Sequence, residues 1–261
     1  MGTLWNLIIY NPILNILVSL YQLTSNLGIS IIVFTVLVRV AMIPVMAPAM
    51  KMRKKQQELK PKLDKIKEKY KDDKMKLAEK QMDLMKQNGV NPSAGCLTSI
   101  IMIVVMIAVY RAVSSLTNGI ALEEINNRIY LDTFKFTDNY SINKNFLYLD
   151  LSKPDPYYVV TGIAVIVQFL TGMMMLPYVE EEEKKAEKTP SEMDDMAASI
   201  QKQNIFMTPI MFLIFGMTLP SGVMIYIVVS TLAQLAQSYH YTGWGGLTPW
   251  IKRLKFGNVK S

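Results

Sequence analysis

The chain has 261 residues, 51% of them hydrophobic and 19% charged, with a formal net charge of +7. The apolar residues come in long blocks between charge-rich blocks rather than at the periodic positions of a soluble core, which excludes an ordinary soluble domain and marks membrane spans joined by aqueous loops. A single cysteine, Cys96, excludes an internal disulfide.

The opening residues, Met1 to Trp5, carry no basic n-region and no cleavage pattern of a signal peptide. Two readings stay open: the first apolar segment is retained, or a leader once preceded it. In that segment Asn11, Asn15, Ser19 and Gln22 fall in one stripe down a helix. Asn11 followed by Pro12 reads as an N-cap with proline in the first turn. A helix begun there is too short to cross a bilayer, so residues 1–26 are expected to form an amphipathic helix lying in the interface.

Residues 27–50 read as the first span, with one violation at Arg39 near its middle. From Lys51 to Lys86 the composition changes sharply to lysine-rich, with Arg53 and seven acids mixed in. Leu59, Leu63, Ile66 and Tyr70 form one apolar helix stripe, with Pro61 expected to bend that helix. Asp72-Asp73 breaks the run, and Met75, Ala78, Met82 and Met85 form a second, weaker stripe. Gly89 then ends the second helix as a C-cap, with Asn91-Pro92 beyond it. Residues 51–95 are thus expected to be an aqueous helical hairpin.

A second span is expected over 96–116, with Arg111 towards one end, then a polar, tyrosine-bearing loop over 117–156. A third span follows over 157–178, and an acidic loop over 179–204. The last apolar region is split at Leu219-Pro220-Ser221-Gly222 into short spans over 205–219 and 221–238, and a basic tail closes the chain over 239–261. Basic residues favour the cytoplasmic side, so the hairpin and the tail belong there. Five spans starting outside satisfy both demands. The 117–156 loop then lies outside, where six acids outnumber four bases.

Arg39 is the most informative residue. An arginine near a span centre costs about 2.5–3.5 kcal/mol on insertion scales, and the 96–116, 157–178 and 205–237 stretches contain no Asp or Glu to pair with it. Hydration in a polar cavity becomes the default reading, against an arginine that merely snorkels. Thr35 lies one turn before Arg39, Thr161 and Gln168 share a face of the third span, and Tyr226, Ser230, Gln234 and Gln237 stripe the last one. The competing reading is that such polar residues simply glue helices together. Ile205 to Leu219, at 1.5 Å per residue, reaches only about 22 Å against a hydrocarbon core of about 30 Å, a mismatch that thins the bilayer. Nineteen methionines suit a surface that accepts many apolar partners, and a compositional bias of the source would explain them as well.

With these residues in view the chain resembles the YidC-type membrane protein insertase family, bacterial relatives of the mitochondrial and chloroplast inner-membrane insertases. The resemblance covers nearly the whole chain. It rests on the run Ile31 to Arg39 followed by Pro44, on Asn88-Gly89-Val90-Asn91-Pro92 through Gly95-Cys96-Leu97, and on Leu219-Pro220-Ser221-Gly222 continuing to Tyr226. It implies an all-α polytopic membrane protein: five transmembrane helices in a bundle with a cytoplasm-open hydrophilic groove, an N-terminal interfacial helix and a cytoplasmic hairpin. Arg39 would be the groove arginine that attracts hydrophilic client ends, with Thr35, Gln168 and Tyr226 as groove-lining positions; Ser230 and Gln234 join them from the stripe. Implied partners are nascent single-span and small multi-span membrane proteins, the lipid bilayer, and through the hairpin the ribosome and Sec translocon. The implied location is the bacterial plasma (inner) membrane, multi-pass, with the C-terminus cytoplasmic. Relative to some members of the family, the chain is expected to be without a large extracytoplasmic domain, a lipoprotein signal and an extended C-terminal arm.

No cofactor, metal site or specific nucleic-acid site is expected. No Gly-rich Lys-Ser/Thr loop offers a nucleotide site. The only histidine, His240, lies beyond the last span, so an intramembrane enzyme is nearly closed as a reading. A small-solute transporter using Arg39 as an anion site is opposed by the want of an inverted repeat. A chaperone for proteins already inserted is not separable from an insertase by sequence.

Overall fold

The computed structural model describes residues 3–71, 73–90, 94–118, 121–137, 140–175 and 207–251. The expected 179–204 loop and nearly all of the basic tail lie outside them. The described residues are predominantly helical, and their only sheet is a pair of two-residue strands, Asn145–Phe146 and Leu149–Asp150. The helices are α1 (Thr3–Thr24), α2 (Leu27–Ala41), α3 (Ile43–Lys69), α4 (Lys74–Gln87), α5 (Ala94–Thr117), α6 (Leu122–Asn126), α7 (Val159–Met175), α8 (Met207–Thr218) and α9 (Ser221–Thr242). The chain is an all-α polytopic membrane protein. Thr3–Thr24, Ile100–Thr117 and Ser221–Thr242 each have the length and composition of a span, Leu27–Ala41 with Ile43–Leu59 has them as a pair, and α7 and α8 are apolar but shorter.

The chain divides into two compact units. The first comprises Met1–Ile43, Thr98–Val167 and Ile210–Ala233. Its core joins Leu14, Leu17, Val18 and Tyr21 of α1, Leu27, Ile31 and Phe34 of α2, Val109, Ala112 and Val113 of α5, and Val223 to Ile227 of α9. The helix α1 does not begin at Asn11. It runs on through that residue from a π turn over Asn6–Tyr10, and Asn11 has α-helical dihedrals. The expected N-cap is therefore absent, and with it the argument that the helix is too short to span. Asn15 of the polar stripe meets protein: its Nδ2 donates to Arg128 O at 2.8 Å and its Oδ1 accepts from Tyr130 N at 2.7 Å. Gln22 Nε2 donates to Phe134 O at 3.3 Å. Leu4, Leu7, Ile8, Ile16 and Leu23 are exposed. Asn15 and Gln22 of the stripe thus dock the 121–137 segment.

Ser25, with φ +51°, ends α1, and Asn26 caps α2 by accepting from Ile29 N at 3.1 Å. The loop after α6 packs back on this junction. Phe146 covers Gly28 so closely that a Cβ there would lie 2.2 Å from the ring. The same loop holds the start of α9: Ser221 N donates to Lys153 O at 2.7 Å, Ser221 Oγ to Asp150 O at 2.8 Å, and Gly222 N to Leu151 O at 3.3 Å. These carbonyls satisfy amide groups that a helix N-terminus leaves without internal partners. A Cβ on Gly222 would stand 2.9 Å from Val113 Cγ1 and 3.2 Å from Leu151 O, which explains the small residues after Pro220. Asp155, fully buried, accepts from Tyr157 N, Val160 N and Tyr148 Oη and so secures the start of α7.

The second unit comprises Pro44–Leu97, Gln168–Pro209 and Gln234–Ser261. The stretch expected as one span to Met50 breaks at Met42, and α3 then runs unbroken to Lys69, through Pro48 and Pro61. Pro44 sits in the first turn of α3, where its missing N–H costs no helical hydrogen bond. Asp73 caps α4 by accepting from Lys76 N at 3.1 Å. At the far end Gly89, with φ +65°, donates to Lys86 O at 2.9 Å while Val90 N donates to Met85 O at 2.8 Å. This is the paired C-terminal bonding of a left-handed helix cap. On the second, weaker stripe of α4, Met75 is 85% exposed and Met82 42%, whereas Leu77, off the stripe, is 1% exposed. Asn91-Pro92 lies outside the described residues.

Candidate functional site

Arg39 emerges twelve residues into α2, and Ser230 nine residues into α9. Both helices begin at the loop that carries Phe146 and Leu151, so the two side chains sit at similar depth, about 18 Å and 14 Å along their helices. Arg39 is 5% exposed. Its Nε donates to Ser230 Oγ at 2.9 Å, and Nη2 donates to the same oxygen. Nη1 is buried and has no hydrogen-bond partner among the described residues. The guanidinium has five donors in a rigid fork, and a neutral hydroxyl takes two of them. Among the described residues no carboxylate neutralises it.

Tyr226 stands one turn before Ser230 on α9, buried, within interaction range of both Ser230 and the guanidinium. The structure thus brings Arg39, Ser230 and Tyr226 together in the first unit. Thr35, fully buried one turn before Arg39, donates its hydroxyl to Ile31 O at 2.6 Å. That bond keeps the hydroxyl within its own helix. Thr161, fully buried on α7, has an Oγ1 without a partner among the described residues. Gly216 of α8 packs on it: a Cβ there would fall 2.2 Å from Thr161 Cγ2. Gly216 escaped the sequence reading, and the signal that could have found it is a glycine inside a short apolar helix, where small residues admit close approach. Gln168 and Gln234 belong to the second unit, where each is half-buried.

The chemical capacity of the cluster follows from this inventory. A charged fork with an unused buried donor can donate to a carbonyl, a hydroxyl or a carboxylate oxygen, and the bond is charge-assisted. Among the described residues the side chains gathered there are a guanidinium, a hydroxyl and a phenol. Among the described residues no group of three or more His, Cys, Asp or Glu is placed to hold a metal ion.

The model of the 60Kd inner membrane protein family matches residues 19–244. The chain is 31% identical over 237 residues to membrane protein insertase YidC 2 of Bacillus anthracis, covering 89% of this chain and 76% of that protein. It is 30% identical over 244 residues to membrane protein insertase YidC of Alkalihalophilus pseudofirmus, covering 90% and 81%. With the YidC of Wigglesworthia glossinidia brevipalpis it shares 29% identity over 238 residues, 91% of this chain but 37% of that protein. The chain thus spans little more than a third of such longer relatives.

Proposed function

The chain belongs to the 60Kd inner membrane protein family, and from that premise we propose that it is a membrane protein insertase of the bacterial plasma membrane. Arg39 takes hydrophilic ends of client proteins, acidic ones above all, into the membrane from the cytoplasmic side, with Thr35, Tyr226 and Ser230 on the wall around it. The client's apolar span then leaves into lipid. The driving force is burial of that span, worth about 25 cal/mol per Å², and the membrane potential adds to it for acidic ends. The hairpin of α3 and α4 receives clients on the cytoplasmic side and is the surface for a ribosome or Sec translocon. Clients are single-span and small multi-span proteins.

One observation carries this reading. Arg39 is buried in the last turn of α2, bonded to a single serine, and keeps a donor unspent. A purely structural buried arginine would be expected to spend its whole fork on protein acceptors, because a buried donor left unsatisfied costs about 1–3 kcal/mol, and more on a charged group.

The test is insertion of a radiolabelled single-span client into liposomes that contain only this protein. Client protection that requires the protein, persists in Arg39→Lys and falls at least tenfold in Arg39→Ala is the expected result. Protection that is the same in Arg39→Ala for every client overturns the reading.

A further inference from the structure

The loop between α6 and α7 turns through a two-residue hairpin, Leu147-Tyr148, held between the paired strand residues Phe146 and Leu149. Leu147 has φ +54°, a left-handed conformation that glycine adopts without steric cost and leucine does not. The same side chain is 83% exposed. A strained backbone and a bare leucine thus coincide at one position, and contacts within the protein offset little of either. Such outliers gather where a surface meets something else.

The tip is tied to the head of α7. The rings of Tyr148 and Tyr157 meet with centroids 5.6 Å apart, and Tyr148 Oη donates to Asp155 Oδ2 at 3.4 Å. That carboxylate oxygen also accepts from Val160 N at 2.7 Å, in the first turn of the helix. Tyr157 is 73% exposed, and Tyr158 and Val159 are half exposed. The patch continues down α7 through Ile163 and Ile166, both exposed. With Val159 these fall at spacings of four and three, on one face of the helix.

Position and chemistry together select a lipid interface as the occupant. The 17 residues of α7 include no charged one, whereas Asp150, Lys153 and Asp155 stand just before it. The change from charged loop to apolar helix therefore falls at Tyr157 and Tyr158. At 1.5 Å per residue α7 extends about 26 Å, against a hydrocarbon core of about 30 Å. A helix that short, crossing the membrane as the sequence expects, draws its flanking residues to the edge of the hydrocarbon. Tyrosine suits that edge, with a ring for the acyl chains and a hydroxyl for the headgroup level.

We propose that Leu147, Tyr148, Tyr157 and Tyr158 form a lipid-interface anchor on the side of the membrane where the 117–156 loop lies. Leu147 enters the margin of the acyl chains, and the tyrosines sit at headgroup level. The same loop caps α9 and covers the head of α2, so the anchor fixes the depth of the two helices that carry Arg39 and Ser230. The inference rests on α7 crossing the membrane and not on the insertase reading.

Spin labels on the full chain test it, in a Cys96→Ser background reconstituted into vesicles of phosphatidylethanolamine and phosphatidylglycerol. Nitroxides at Leu147→Cys, Ser141→Cys and Ile163→Cys are compared by relaxation with oxygen, which concentrates in the bilayer, and with a water-soluble nickel chelate. The oxygen-to-nickel ratio should be several-fold higher at 147 than at 141, and higher again at 163. Equal ratios at 147 and 141, with 163 in hydrocarbon, overturn the anchor and leave α7 a span. A water-like ratio at 163 as well overturns the premise on α7 and the anchor with it. Shielding of 147 from both reagents would put protein on the tip and also overturns the proposal. The unaltered chain gives a second measurement, by photolabelling from phosphatidylglycerol that bears a diazirine beside its glycerol. Adducts on Leu147, Tyr148, Tyr157 and Tyr158 should be several-fold more abundant than on residues 141–145, and equal labelling overturns the proposal.

Discussion

At the scale of single residues, the pair Arg39–Ser230 concentrates the consequences. Ser230 Oγ accepts both Nε and Nη2 of Arg39, and removing it leaves a buried charge without a partner among the described residues. Loss of a hydrogen bond to a charged group costs about 1.5–3 kcal/mol. Ser230→Ala should therefore lower the thermal midpoint and reduce insertion, though less than Arg39→Ala, since the cation remains. The two changes should not add. In the Arg39→Ala background, Ser230→Ala should have little further effect on either quantity, and a double-mutant cycle should give a coupling of about 1–3 kcal/mol. Strictly additive losses would show that the serine acts elsewhere. Thr35 is the contrasting case: its hydroxyl is already bonded within α2, so its part in the wall is one of shape more than of donors.

At the scale of elements, the ends of helices decide the arrangement. Loop carbonyls of Asp150, Leu151 and Lys153 cap α9, and Phe146 seats on Gly28 at the head of α2. One loop thus sets the starting points of both helices that carry the site. The hairpin relies on local caps instead. The backbone N–H of Lys76 holds the Asp73 carboxyl below its usual range. The sign is that of a depressed carboxylate. Its contribution to α4 is fully present above the unfolded value of about 4 and is lost as pH falls through the lowered folded value. Hydrogen exchange at the amides of Met75 to Leu77 should accelerate, beyond the intrinsic pH dependence, as pH drops below about 4. Asp73→Ala should show the faster exchange at every pH. A pH-independent protection in the unaltered chain would deny the cap its role.

At the scale of the whole molecule, the proposed topology places the 117–156 loop outside and the hairpin in the cytoplasm. In a Cys96→Ser background, Ser141→Cys should react with a membrane-impermeant maleimide in intact cells, and Met75→Cys only after permeabilisation. The reverse pattern would invert the orientation. Much of this was legible in the chain. Block segregation of apolar and charged residues determines a helical membrane protein, because backbone groups in lipid must be satisfied within each span. Arg39 stands out because a charge amid apolar residues is costly wherever the span folds, and Tyr226 and Ser230 share a stripe because helical spacing is local. Other features were invisible for an equally physical reason. Whether Asn15 and Gln22 face water or a loop backbone, whether Leu77 or Met75 turns inward on α4, and why Gly28 and Gly222 lack side chains depend on what packs opposite them. Periodicity along one helix determines which residues share a face, but only the tertiary structure decides what that face meets.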